Sequence, residues 1–156
     1  MNYDVIIIGA GPGGIFSAYE LSKERPDLKI AVFEAGHALA KRKCPIDGVK
    51  IKTCIECKSC SIMSGFGGAG AFSDGKLNTG TKDIRHRFIL EHLVACGAPE
   101  DILINAKPHI GTDKLKSTVK AIREEIIALG VNFEKEFEPK SSAASKRDLS
   151  SFDITE

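Results

Sequence analysis

A chain of 156 residues, 42% of them hydrophobic, has material for one domain and enough apolar side chain to build a core. Its formal net charge of +1 gives no electrostatic footprint for nucleic acid or a strongly acidic membrane surface, and no apolar run approaches the length of a membrane span. The N-terminus enters a strand directly, without a signal-peptide pattern. A cytosolic setting is therefore expected, in which five cysteines serve as ligands, catalytic groups or core residues rather than structural disulfides.

The first element is Asp4-Val5-Ile6-Ile7-Ile8, too apolar for a surface strand, and it runs straight into Gly9-Ala10-Gly11-Pro12-Gly13-Gly14. Ile15 to Leu21 then reads as a helix packing through Ala18 and Leu21, and Glu24-Arg25-Pro26-Asp27 joins it to a second buried strand, Lys29 to Glu34. Strand, glycine turn, helix, strand and terminal acid in that order form a dinucleotide-binding opening. Gly9 permits the tight turn, Gly11 and its neighbours Pro12 and Gly13 bring backbone to a pyrophosphate, and Gly14 lets the helix lie close to the sheet. The helix N-terminus offers N–H groups and partial positive charge to the phosphates. A carboxylate at Glu34 accepts hydrogen bonds from a ribose diol and repels a 2′-phosphate, so FAD or NAD fits better than NADP.

Beyond Glu34 the regular pattern lapses over residues 36–80, which marks a functional loop or an inserted unit. This Cys/Gly-rich insert carries Cys44 (followed by Pro45), Cys54, Cys57 and Cys60, and after them Gly65 to Leu77. Four thiolates so closely spaced suit a cubane iron–sulfur cluster or a tetrahedral zinc, although the spacing is not that of standard ferredoxins. Redox thiols, or no special role, are the alternatives. Helical periodicity returns at Asp83 to Ala95 and closes at Gly97-Ala98-Pro99. Cys96 there reads as a core residue. A clearer helix starts near Asp113, with Leu115, Val119, Ile122, Ile126 and Leu129 on one face and Gly130 as its stop. Thr112 or Asp113 is the expected N-cap. Val131-Asn132-Phe133 starts another strand, and residues 138–156 have the composition of a flexible polar tail.

Behind the GAGPGG opening, Gly-Phe-Gly-Gly-Ala-Gly-Ala-Phe-Ser-Asp-Gly-Lys-Leu (65–77) and Lys-Pro-His-Ile-Gly-Thr-Asp-Lys-Leu (107–115) resemble the uncharacterised FAD-dependent dehydrogenases of bacteria and archaea. These belong to the wider glutathione-reductase-like flavoprotein superfamily, and the resemblance covers residues 1–137. It implies an α/β, Rossmann-like FAD/NAD(P)-binding fold with a parallel sheet, with adenosine ribose on Glu34 and pyrophosphate on the Gly9 to Gly14 turn. It also implies that Arg42 and the segment Gly67, Gly68, Ala69, Gly70, Ser73, Asp74 and Lys76 lie near the diphosphate and flavin. Proteins of that family are considerably longer, with further strands, a substrate domain and a later Gly-Asp motif. On that reading the fold is incomplete at its C-terminus: a truncated product, a fragment, or half of a split enzyme completed by a second polypeptide. An open sheet of this kind is expected to expose apolar edges.

The residues themselves are compatible with these roles. The glycines from Gly65 let backbone N–H groups converge on an anion or approach a flat ring; Ser73 and Asp74 suit hydrogen bonds to ribityl or ring atoms, and Lys76 suits negative charge on a reduced flavin. A loop that merely packs tightly is the alternative. His109 is a candidate proton shuttle with Asp113 to orient it, or else a residue satisfying a loop carbonyl. Two functions follow: the FAD-binding part of an oxidoreductase, in which flavin accepts hydride and the cysteines relay electrons, or a catalytically incomplete binding or electron-transfer module. Substrate and electron acceptor are not legible.

Overall fold

A computed structural model describes residues 2–72, 76–77, 83–104 and 109–134. Strands β1 (Val5–Ile8) and β2 (Ile30–Phe33) pair in parallel, Val5 opposite Ile30 and Ile8 opposite Phe33. On the other side of β2 lies β3 (Asn132–Glu134), also parallel, so the order is β1-β2-β3. Parallel neighbours require a crossover, and helix α1 (Pro12–Glu24) supplies the first one. Helix α2 (Arg85–Ala95) follows the long irregular segment, and α3 (Thr112–Ala128) delivers the chain to β3. The architecture is α/β with a three-stranded parallel sheet, compatible with the Rossmann-like expectation. Among the described residues no helix is long and apolar enough to cross a membrane.

Local chemistry sets the ends of these elements. Gly11 is the extended N-cap of α1 and Pro12 takes the first helical position, where its missing N–H costs nothing. Gly9 turns out of β1 with φ +97°, and a β-carbon on Gly14 would sit 1.9 Å from the Gly9 carbonyl oxygen. No larger residue lets α1 start so close to β1. Helix α2 begins two residues later than its periodicity suggests, at Arg85, whose N–H donates to Asp83 Oδ1 at 2.9 Å. The expected capping of α3 by Thr112 or Asp113 is corrected: Gly111 is the N-cap, without a side-chain bond, and Asp113 lies in the first turn, where its charge complements the helix dipole.

The core lies on one face of the sheet. Val5, Ile7, Ile30, Val32 and Phe133 pack with Ile15 and Ala18 of α1 and with Leu115, Val119, Ile122 and Ile126 of α3. Each fully buried isoleucine of this set contributes about 1.5–3 kcal/mol of apolar transfer. The apolar run of β1 reads as buried on both sides, and here the structure differs. Ile6 and Ile8 are 57% and 89% exposed, whereas Ala31, opposite Ile6 on the central strand, is buried; the exposure falls on β1, an edge of the described sheet.

Between β2 and α2 the described chain forms two short 3-10 turns, Leu39–Lys41 and Ala69–Phe72, and an isolated bridge residue at Lys76. Ser73 and Asp74, and the whole of the expected tail at 138–156, lie outside the described residues.

Candidate functional site

The carboxyl ends of β1 and β2, the region where open parallel sheets bind ligands, hold the glycine turn and Glu34 side by side. Glu34 stands directly after β2, and its carboxylate is held by backbone: Oε2 accepts the Ala10 N–H at 2.7 Å, while Oε1 accepts those of Gly36 and Gly65 at 2.8 and 2.9 Å. The acid expected to meet a ribose clasps its own following turn at Gly36 and two segments distant in sequence, at Ala10 and Gly65. A carboxylate offers about four lone-pair positions, so three backbone bonds leave room for a further hydroxyl donor.

The second glycine cluster folds onto the first. Gly67 N–H donates to the Ala10 carbonyl at 2.8 Å, and Phe66 N–H to that of His37 at 3.2 Å. A β-carbon on Gly68 would lie 3.2 Å from Gly11 Cα and 3.3 Å from Pro12 Cδ. Gly36 meets Gly65 closer still, at 2.2 Å from such a β-carbon to the Gly65 nitrogen. The structure therefore brings together Gly9, Gly11, Pro12, Gly14, Glu34, Gly67 and Gly68, with Gly13 exposed in the first turn of α1. N–H groups of that turn have no intrahelical partner.

Arg42, expected near the diphosphate, is turned inward and only 5% exposed. Its guanidinium donates to the carbonyls of Ser61, Ile62, Phe66 and Gly68 at 2.7–2.9 Å and lies 4.5 Å from the centre of the Phe72 ring. Burial lowers its pKa, opposed by the charges of Glu34 and Cys60. These contacts make Arg42 the internal strut of the 61–68 loop, positioning the glycines that meet the N-terminus of α1.

Two cavities flank this assembly. One, about 120 Å³, opens beyond β2 and β3 and is lined by Glu34, His37, Lys41, Phe66, Arg123 and Phe133. Arg123 sits over both rings, 5.7 Å from Phe66 and 5.3 Å from Phe133, giving an aromatic and cationic wall opposite the acid. The other, about 160 Å³ and mostly apolar, lies between Pro12, Phe16, Gly67, Gly70, Lys76 and Val119. Lys76 and His109 form an isolated antiparallel bridge, which places the candidate proton carrier's backbone beside the second motif. Ala69 and Gly70 belong to the 3-10 turn just after the contact with Gly11. Sequence reasoning missed Arg123, a charge on the polar side of a helix, and the lining residues His37 and Lys41, which no motif marks.

The insert cysteines are all free, Cys54 and Cys57 exposed, Cys44 and Cys60 half-buried. No three of these four sulfurs lie within 4.8 Å of one another. The Cys60 thiol has a lowered pKa, from the backbone N–H groups of Met63 and Ile62 and then the charge of Arg42.

Comparison with known proteins agrees with the N-terminal geometry. Residues 1–41 match the Thi4 family, a stretch that contains β1, α1, β2 and Glu34. Thiamine thiazole synthase of Yarrowia lipolytica is 66% identical over 35 residues, which are 22% of this chain and 11% of that protein. The Candida albicans synthase is 62% identical over 32 residues, 20% of this chain and 9% of its own length. A protein of Clostridium beijerinckii described as uncharacterised is 44% identical over 135 residues, 85% of this chain but 25% of that protein. The match thus spans about a quarter of the length of the Clostridium beijerinckii protein and about a tenth of these two thiazole synthases.

Proposed function

We propose that the chain is the FAD-binding portion of a flavin-dependent oxidoreductase. The observation that carries this reading is the joining of the two glycine clusters by the Glu34 carboxylate at the carboxyl ends of the strands. In this arrangement the first turn of α1 and the Gly9 to Gly14 backbone hold the pyrophosphate. Glu34, with its remaining lone-pair capacity, orients the adenosine ribose, and the cavity beside it takes the nucleoside between Phe66, Phe133 and Arg123. Gly67 to Gly70 and Lys76 stand on the flavin side, with Ser73 and Asp74 assigned there by sequence alone. Bound flavin supplies a two-electron hydride acceptor; the protein binds, orients and shields it. His109 is the residue proposed to move a proton in that neighbourhood. The matched synthases' activity is not carried over, because the match ends at Lys41.

The cysteine reading belongs here too. Cys44, Cys54, Cys57 and Cys60 are proposed ligands of an iron–sulfur cluster or zinc, supported by donor chemistry and spacing; binding requires the insert to draw the sulfurs together. A second functional reading, a module completed by another polypeptide, is favoured by the exposed Ile6 and Ile8 and by β1 forming an edge of the described sheet.

The test is the visible spectrum of anaerobically purified chain, with nucleotide release by denaturation and metal analysis. A two-banded flavin spectrum with FAD released supports the proposal. A folded chain that is flavin-free and cannot be reconstituted with FAD refutes it.

A further inference from the structure

Away from the nucleotide site, His92 and Cys96 of α2 meet Glu125 of α3. The i, i+4 spacing puts His92 and Cys96 on one side of the last helical turn, where Cys96 N–H closes on the His92 carbonyl at 3.0 Å and Gly97 ends the helix. His92 Nε2 lies 3.3 Å from Glu125 Oε2, Cys96 Sγ lies 3.8 Å from His92 Nε2, and Sγ lies 3.7 Å from Glu125 Oε2. The three donor atoms are mutually within 4.8 Å, and no other His/Cys/Asp/Glu group of three or more among the described residues converges in this way. Tetrahedral zinc, at its usual ligand distances, separates N from O by about 3.3 Å and S from either by about 3.5 Å. The observed triangle differs from those edges by a few tenths of an ångström at most.

From this geometry we propose that His92, Cys96 and Glu125 form a binding site for one Zn²⁺ that ties α2 to α3. The ligand set mixes thiolate, imidazole and carboxylate, all donors zinc accepts, and three protein ligands leave a fourth position. The triangle reaches the surface on its Glu125 side, whose side chain is 42% exposed, while that of His92 is 7% exposed. Rings fix the imidazole: Tyr19 lies 4.1 Å and Phe16 5.9 Å from it, centre to centre. The site shares no residue with the cysteine insert or the glycine turns.

Titration with Co²⁺ as the zinc probe tests this, in a background where Cys44, Cys54, Cys57 and Cys60 are all serine. One equivalent is expected to bind, with tetrahedral visible bands and a near-ultraviolet sulfur-to-cobalt transition. Cys96→Ser should abolish that transition and weaken binding more than about 100-fold, since even outer-shell partners of a metal site cost about 10–100-fold. Glu125→Gln, at a half-exposed position, should weaken binding at least tenfold while far-ultraviolet circular dichroism stays unchanged. Absence of the sulfur transition in the folded background chain, or its persistence in Cys96→Ser, overturns the proposal, as does unchanged affinity in Glu125→Gln.

Discussion

Glu34→Gln isolates the clasp that joins the two glycine clusters, because it preserves shape and removes charge. In the native site one carboxylate oxygen accepts two backbone N–H groups, from Gly36 and Gly65, and the other accepts Ala10 N–H. An amide can present its oxygen to one of these sets only. With the oxygen on Gly36 and Gly65, its NH2 group is turned against Ala10 N–H, so one charge-assisted bond is lost and a donor faces a donor. The opposite flip loses two. A hydrogen bond to a charged group contributes about 1.5–3 kcal/mol, and the weaker-loss flip therefore sets the expected destabilisation at about 2–3 kcal/mol. Urea unfolding followed by far-ultraviolet circular dichroism measures it, with unchanged slope and a lower midpoint as the signature of stability loss. Protease cleavage within 61–68 should accelerate in parallel, because Gly65 is released from its anchor. A loss below about 0.5 kcal/mol, the range of ordinary surface changes, would refute the clasp as a stabilising device.

Three further outcomes follow from the same geometry. Gly14→Ala places a methyl group 1.9 Å from the Gly9 carbonyl oxygen and should cost at least about 1–3 kcal/mol in thermal or urea unfolding; a neutral result would mean that α1 does not start this close to β1. Arg42→Met keeps the apolar stem but leaves the carbonyls of Ser61, Ile62, Phe66 and Gly68 without their shared donor. About 3–5 kcal/mol of destabilisation is expected, from loss of a buried charged group's bonds, and a well-folded variant with native stability would show the strut to be dispensable. In metal-free chain at neutral pH, iodoacetamide should label Cys60 well before Cys96: the N–H groups of Met63 and Ile62 lower the first thiol's pKa, whereas burial pushes the second up to about 11. Peptide mass spectrometry over a time course reads the order, and equal rates would contradict it.

The sequence made the opening unit legible because three signals coincide there: an apolar strand, glycines at positions that need them, and an acid after the next strand. Helix α3 was readable from its periodicity alone. What the sequence concealed depends on contacts between distant segments. Four glycines near Gly65 signal close backbone approach, but nothing in them says that the surface approached is Gly11 and Pro12. An arginine in a polar loop reads as an exposed or phosphate-seeking charge; Arg42 is buried only because the 61–68 backbone turns four carbonyls toward it. The β1 run hides its open face, since apolar residues at every position read as two-sided burial whether or not a second layer is present. Cys96 likewise reads as core until α3 brings Glu125 beside it.

The proposed FAD site rests on the Gly9 to Gly14 turn and Glu34 holding the adenosine diphosphate half of the cofactor. Calorimetric titration of the chain with FAD, repeated with FMN and with FAD in the presence of excess ADP, tests it most directly. Saturable one-to-one binding of FAD, suppressed by ADP, is expected, with much weaker binding of FMN, which lacks the adenosine half. Equal binding of FMN and FAD, or FAD binding indifferent to ADP, would contradict it.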